Sequence, residues 1–166
     1  REKKKKKDAT QVVDDVGHEP PVRLFKLGLK DKKVTRLTDN TDFIESWGAS
    51  EDGRLALTVH QQYLSFEWDN KILPKTYLHD FVKGERTELF AGLRLVPNDI
   101  EWAPDGGGVY FTARHTSDPR FFEATIDLLH YLDAASRRHV QVDLGWENGV
   151  DGGFAVTPDG FIALLA

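Results

Sequence analysis

Glu101-Trp102-Ala103-Pro104-Asp105-Gly106-Gly107-Gly108-Val109-Tyr110-Phe111-Thr112-Ala113 is one of three versions of a single pattern. Ser50-Glu51-Asp52-Gly53 and Thr157-Pro158-Asp159-Gly160 repeat its turn, with Gly-to-Gly spacings of 53 and 54 residues. An alternating apolar stretch follows each turn: Leu55, Leu57 and Val59; Val109, Phe111 and Ala113; Ile162, Leu164 and Ala166. In Pro-Asp-Gly the proline fixes φ at the first corner, the aspartate bonds its own backbone and the glycine takes positive φ. The alternation that follows reads as a strand with one buried face. Glu51 stands where the other two turns carry proline, which weakens that turn slightly.

A second landmark keeps the same distance. Asp80 through Leu89 aligns with Asp133 through Val142 at an offset of 53, and Leu27 through Leu37, centred on Asp31-Lys32-Lys33, takes the same slot at an offset of 52. Each reads as a hairpin between two outer strands. One repeat therefore holds about four short antiparallel strands, and at a period near 50 residues that is a β-propeller blade. The expected fold is all-β, a partial β-propeller of four-stranded antiparallel blades. Strands are expected near 22–29, 34–37, 43–49, 54–60, 75–81, 86–90, 98–103, 108–113, 125–133 and 138–143. After a charged segment over 1–21, the blade pieces cover about 22–38, 39–90, 91–144 and 145–166. The stretch from Phe121 to Leu132 suits a helix by composition, but the repeat register requires a strand there.

Propellers close with four to eight blades, and two whole blades with two partial ones leave strand edges and stacking faces open. With no Met anywhere and an apolar strand at Phe161–Ala166, the chain is expected to be an internal piece of a longer protein, with assembly of several copies as the alternative. There is no cysteine, so disulfides play no part. No apolar run reaches 18 residues, so no membrane contact is expected. The net charge of −5 argues against a general nucleic-acid surface. Lys3 to Lys7 is the local exception; it reads as a solvated approach to the first strand rather than a basic arm, since Asp14, Asp15 and Glu19 offset it.

Chemistry is sparse. No serine lies in a Gly-x-Ser-x-Gly elbow, and no histidine pair has the His-Glu-x-x-His spacing of a zinc site. Neither a metal nor any other cofactor is expected. Asp39-Asn40-Thr41-Asp42 looks like a fragment of a calcium loop, but it lacks the glycine and closing glutamate and reads as a turn. Gly106-Gly107-Gly108 is not a phosphate loop, because no helix with Lys-Ser or Lys-Thr follows. Asp52, Asp105 and Asp159 are turn residues by register. Two irregular regions are left as candidates for contact with substrate or a partner domain. One is 60–74, which carries Tyr63, Phe66 and Trp68 among Glu67 and Asp69. The other is 114–122, where Arg114 or Arg120 is placed to meet a carboxylate bidentately. Trp47 and Trp102, beside the turns, read as blade-packing residues.

Val34-Thr35-Arg36-Leu37-Thr38, Ser50-Glu51-Asp52-Gly53-Arg54, Leu78-His79-Asp80 with Lys83-Gly84-Glu85-Arg86, and Glu101 to Gly106 followed by Val109-Tyr110-Phe111-Thr112 resemble the propeller of the prolyl oligopeptidase family of serine peptidases. The likeness leans toward its acylaminoacyl-peptidase and dipeptidyl-peptidase-like branch. Periplasmic TolB-like propellers share the Pro-Asp-Gly blades. The resemblance implies a ring of seven or eight blades set over an α/β-hydrolase domain of the same protein, which carries a Ser-Asp-His triad and cleaves short peptides. The ring then limits access by size. No triad residue falls in this chain, so no catalytic residue is assigned. The rival expectation is a stand-alone TolB-like propeller that binds other proteins. A cytoplasmic location is expected, with the periplasm as the alternative, and a homo-oligomer is allowed.

Overall fold

The computed structural model describes residues 20–62, 72–118, 120 and 124–165. Twelve strands follow in order: β1 (Phe25–Leu27), β2 (Val34–Arg36), β3 (Phe43–Ala49), β4 (Leu55–Gln61), β5 (Lys75–Asp80), β6 (Glu85–Leu89), β7 (Pro97–Trp102), β8 (Gly108–His115), β9 (Ile126–Asp133), β10 (His139–Gln141), β11 (Phe154–Val156) and β12 (Ile162–Leu164). They form two four-stranded antiparallel meanders, β3-β4-β5-β6 and β7-β8-β9-β10, flanked by the two-stranded sheets β1-β2 and β11-β12. This is the expected arc of propeller blades. The helix-like composition before Leu132 resolves as β9, paired with β8 from His115↔Ile126 to Gly108↔Asp133. Register with its neighbours outweighed composition there.

The turns repeat to the atom. Gly53 N donates to Ser50 O at 2.8 Å, Gly106 N to Ala103 O at 2.9 Å and Gly160 N to Thr157 O at 3.0 Å. The three glycines sit at φ of 67°, 68° and 86°, so the register fixes glycine where an L side chain would be strained. Asp52 accepts from Arg54 N and Asp105 from Gly107 N, each across two residues. Glu51 in place of proline leaves the hydrogen bond intact. The outer hairpins repeat too: Lys32, Gly84 and Arg137 occupy one left-handed position, with φ of 58°, 70° and 60°. In the second and third of these hairpins an opening aspartate clamps the loop, Asp80 on the amides of Val82 and Lys83, and Asp133 on Ser136.

The alternation after each turn predicts a strand with a single buried face, yet every residue from Leu55 to His60 is buried. One face of β4 packs on the next blade, and the other carries Thr58 and His60 in buried hydrogen bonds. Leu57, Leu78 and Leu89 of the first whole blade join Val109, Phe111, Ala113 and Leu132 of the second in one continuous apolar cluster. Removing that area from water is the main force holding the blades together. Between them runs Phe90, held at φ 56° with its ring 5.6 Å from Phe111 and 5.0 Å from His139. Positive φ is unfavourable for so bulky a residue, and the packing of its ring is what holds it there. The inner strands meet closely as well: a methyl group on Gly48 would lie 2.6 Å from Ile100 Cγ2 and 3.0 Å from the Ile100 carbonyl.

Trp102 packs against this cluster as expected. Trp47 does not pack: it is 57% exposed on the face of β3 that looks toward the two-stranded β1-β2 sheet. The β1-β2 sheet is nonetheless tied to the first whole blade. Val22 O accepts from Ile44 N and from Asn40 Nδ2, and Arg23 Nε donates to Asn40 O.

Candidate functional site

Among the described residues, a hydrogen-bonded group of titratable side chains lies inside the first whole blade. Asp42 enters β3, Thr58 and His60 alternate on β4, and His79 stands on the neighbouring β5. Residues two apart on a strand share a face, so Thr58 and His60 point the same way. His60 Nδ1 lies 2.6 Å from Asp42 Oδ1, His60 Nε2 lies 2.8 Å from Thr58 Oγ1, and His79 Nε2 lies 2.9 Å from the same hydroxyl. Asp42 is further held by Asn40 Nδ2 and Gln62 Nε2.

Burial sets the protonation states. It pushes the His79 imidazole down to about 4, helped by the nearby His60 and Arg86. It also lowers His60, against the opposing pull of Asp42. Burial alone would raise the Asp42 carboxyl, but its contacts with His60, Asn40 and Gln62 hold it below the usual carboxylate range. Both rings are therefore neutral near pH 7, and the chain of hydrogen bonds has one direction. His79 Nε2–H donates to Thr58 Oγ1, Thr58 donates to His60 Nε2, and His60 Nδ1–H donates to Asp42.

Carboxylate, imidazole and hydroxyl in this order match the parts of a nucleophilic triad. The surroundings rule out that use. Thr58 and His60 are wholly buried, and the hydroxyl is engaged on both sides, so no carbonyl can approach it. What the chain does is join the entry to β3 with β4 and β5. Buried polar groups cost free energy unless paired, and here the pairing ties three strands into one arrangement.

These four residues were missed in the sequence. Asp42 is expected in a turn and His60 at the start of the irregular region 60–74, while Thr58 and His79 are given no role. The available signal was their register: Thr58 and His60 sit one residue off the apolar alternation of a strand that is buried on both faces. Among the residues singled out from the sequence, Tyr63, Phe66 and Trp68 lie outside the described residues. Arg120 does meet a carboxylate bidentately, but it is Asp118 of its own loop, with Nε at 3.0 Å from Oδ1 and Nη2 at 2.6 Å from Oδ2. Arg114 is exposed near the end of β8, where Asp127 of β9 is its strand partner. The structure brings neither arginine to the histidine chain. Among the described residues no group of three or more His, Cys, Asp or Glu is arranged to hold a metal ion.

Comparison with solved structures places the architecture. The chain resembles TolB from Acinetobacter baumannii at 22% identity and TM-score 0.55, covering 83% of this chain and 30% of that one. It resembles the tricorn protease at 13% identity and TM-score 0.57, over 78% of this chain and 11% of the other. It resembles the hydrazine synthase of Kuenenia stuttgartiensis at 16% identity and TM-score 0.58, over 86% and 43%. No family profile and no curated protein matches the sequence. The chain thus spans less than half the length of each of these structures, and at such identities the likeness establishes the β-propeller fold alone.

Proposed function

We propose that these blades are the noncatalytic propeller part of a serine peptidase that hydrolyses short peptides, gating access to an α/β-hydrolase domain of the same protein. The observation that carries this reading is the state of the best constellation in the chain. Its hydroxyl, imidazoles and carboxylate are consumed in cross-linking one blade, so the blades serve as scaffold and the chemistry belongs elsewhere. The family-like wording of the turns supports the peptidase assignment, and a protease stands among the structures that share the fold. Short peptides are then the substrate, and the cytoplasm is the proposed compartment.

The likeness to TolB favours a second reading, a propeller that binds proteins and performs no chemistry. A fluorophosphonate probe separates the two. On the native protein carrying these blades, the peptidase reading expects one covalent label, blocked by prior treatment with a serine-peptidase inhibitor and mapping outside residues 20–165. No label, under conditions that label a control peptidase, selects the binding module.

A further inference from the structure

Where the two whole blades meet at the end that carries these turns, a cavity of about 380 Å³ opens between the β5-β6 hairpin and the turns of the next blade. The first whole blade lines it with Arg54, Asp80, Lys83 and Glu85. The second lines it with Gly107, Ala134, Ala135 and Arg137. The repeat itself shows why there is a hollow. At the 53-residue offset, Gly107 takes the place of Arg54, Ala134 that of Phe81 and Ala135 that of Val82. The second whole blade has small residues at the three positions where the first has bulk. At the lip the exchange runs the other way: Arg137 replaces Gly84, and does so at φ 60°. An arginine is held in a conformation that glycine adopts freely, which costs roughly 1 kcal/mol. Lys32 shows that the hairpin tolerates a cation there.

The charges are unbalanced. Asp80, the inner carboxylate, already accepts two backbone N–H groups, and Arg54 Nε and Lys83 Nζ approach it only to 3.9 Å. Glu85 is the other acid of the cavity. Arg137 has no carboxylate within ion-pairing distance among the described residues. Among the lining residues three cations thus stand against two carboxylates, with Asp105 and Asp133 engaged by the backbone of the adjoining turns.

We infer that this groove is a binding site for the carboxylate side chains of an acidic peptide segment, with Arg137 and Lys83 as its principal contacts. Its volume falls in the range of ligand pockets. A guanidinium at the rim pairs with a carboxylate through two parallel hydrogen bonds. The small-residue wall gives a peptide backbone room to lie against the blade. The inference holds whether or not a hydrolase domain accompanies the blades.

The test uses fluorescence anisotropy with a labelled tetraglutamate peptide, acetylated and amidated so that only side-chain carboxylates are presented, and tetraglutamine as the control. The wild-type protein binds tetraglutamate and not tetraglutamine. Arg137→Gly weakens that binding about tenfold or more, the loss of one charge-assisted contact, while its melting temperature rises because the strain is gone. Ala134→Phe restores the residue that the first whole blade carries at the matching position, fills the groove and abolishes binding with the fold retained. Failure of the wild-type protein to prefer tetraglutamate, or binding that survives both substitutions, overturns the site.

Discussion

Acidification from pH 7 to pH 4 is expected to cost about 3 kcal/mol of folding stability through His79 alone, with about 2 kcal/mol already lost at pH 5. The sign follows from the direction of the shift. The ring is held at about 4 in the folded blade and titrates at 6.5 when exposed. The unfolded chain therefore takes up a proton first, and stability falls with pH below 6.5, until the folded ring protonates as well. The groups facing His79 all work the same way or stay out of range. His60 on β4 is lowered too, Arg86 on β6 repels an added charge, and Tyr77 and Phe81 flank it with neutral rings. Protonated His79 gains no side-chain acceptor among the described residues to offset its burial, since its Nε2–H already serves Thr58. In a chain of this length the loss appears as a melting temperature lower by roughly 6–12 °C at pH 4. Replacing His79 with Phe removes one hydrogen bond at pH 7 but flattens the dependence. A melting temperature that does not move between pH 7 and pH 4.5 in the wild-type protein would show that the ring is not held neutral.

Phe111→Ala is expected to cost about 4 kcal/mol, read as a shift of the urea midpoint at unchanged slope. Phe111 has no exposed surface and lies at the centre of the cluster shared by the two whole blades. Its ring stacks on His130 at 5.3 Å and meets Phe90 at 5.6 Å. Deleting it leaves a cavity bounded by strands that cannot close on it without breaking their pairing with neighbours. Domains are stable by only about 5–15 kcal/mol, so this single change removes a large share. A comparable truncation at exposed Val82 is expected to stay within about 0.5 kcal/mol. Equal costs at the two positions would mean that the blades do not share a core.

Much of this fold was legible because a repeat states its own register. The turns at Gly53, Gly106 and Gly160 need glycine for a backbone reason, and the same reason returns every blade. The outer hairpins were readable from Asp80 and Asp133, which clamp their own loops. What escaped were features that belong to the space between blades. Burial of both faces of β4 depends on what lies above and below the sheet, which alternation along one strand does not encode. Thr58 therefore carried no signal, His60 fell in the irregular region 60–74, and Asp42 passed for a turn. The exposure of Trp47 has the same origin, since it depends on what stands beside the sheet and not on the pattern along β3. The hollow at Gly107, Ala134 and Ala135 is visible in the sequence only when the two blades are laid over one another. It is then the departures from the repeat, rather than the repeat, that point to a site.

The central claim is that the two whole blades form one stacked unit. Hydrogen exchange followed by mass spectrometry tests it most directly. The amides of β4, β5, β8 and β9 are expected to exchange last and together, and Phe111→Ala should accelerate all four strands by the same factor. Acceleration confined to β8 and β9, with β4 and β5 unchanged, would contradict a shared core and with it the stacked arc.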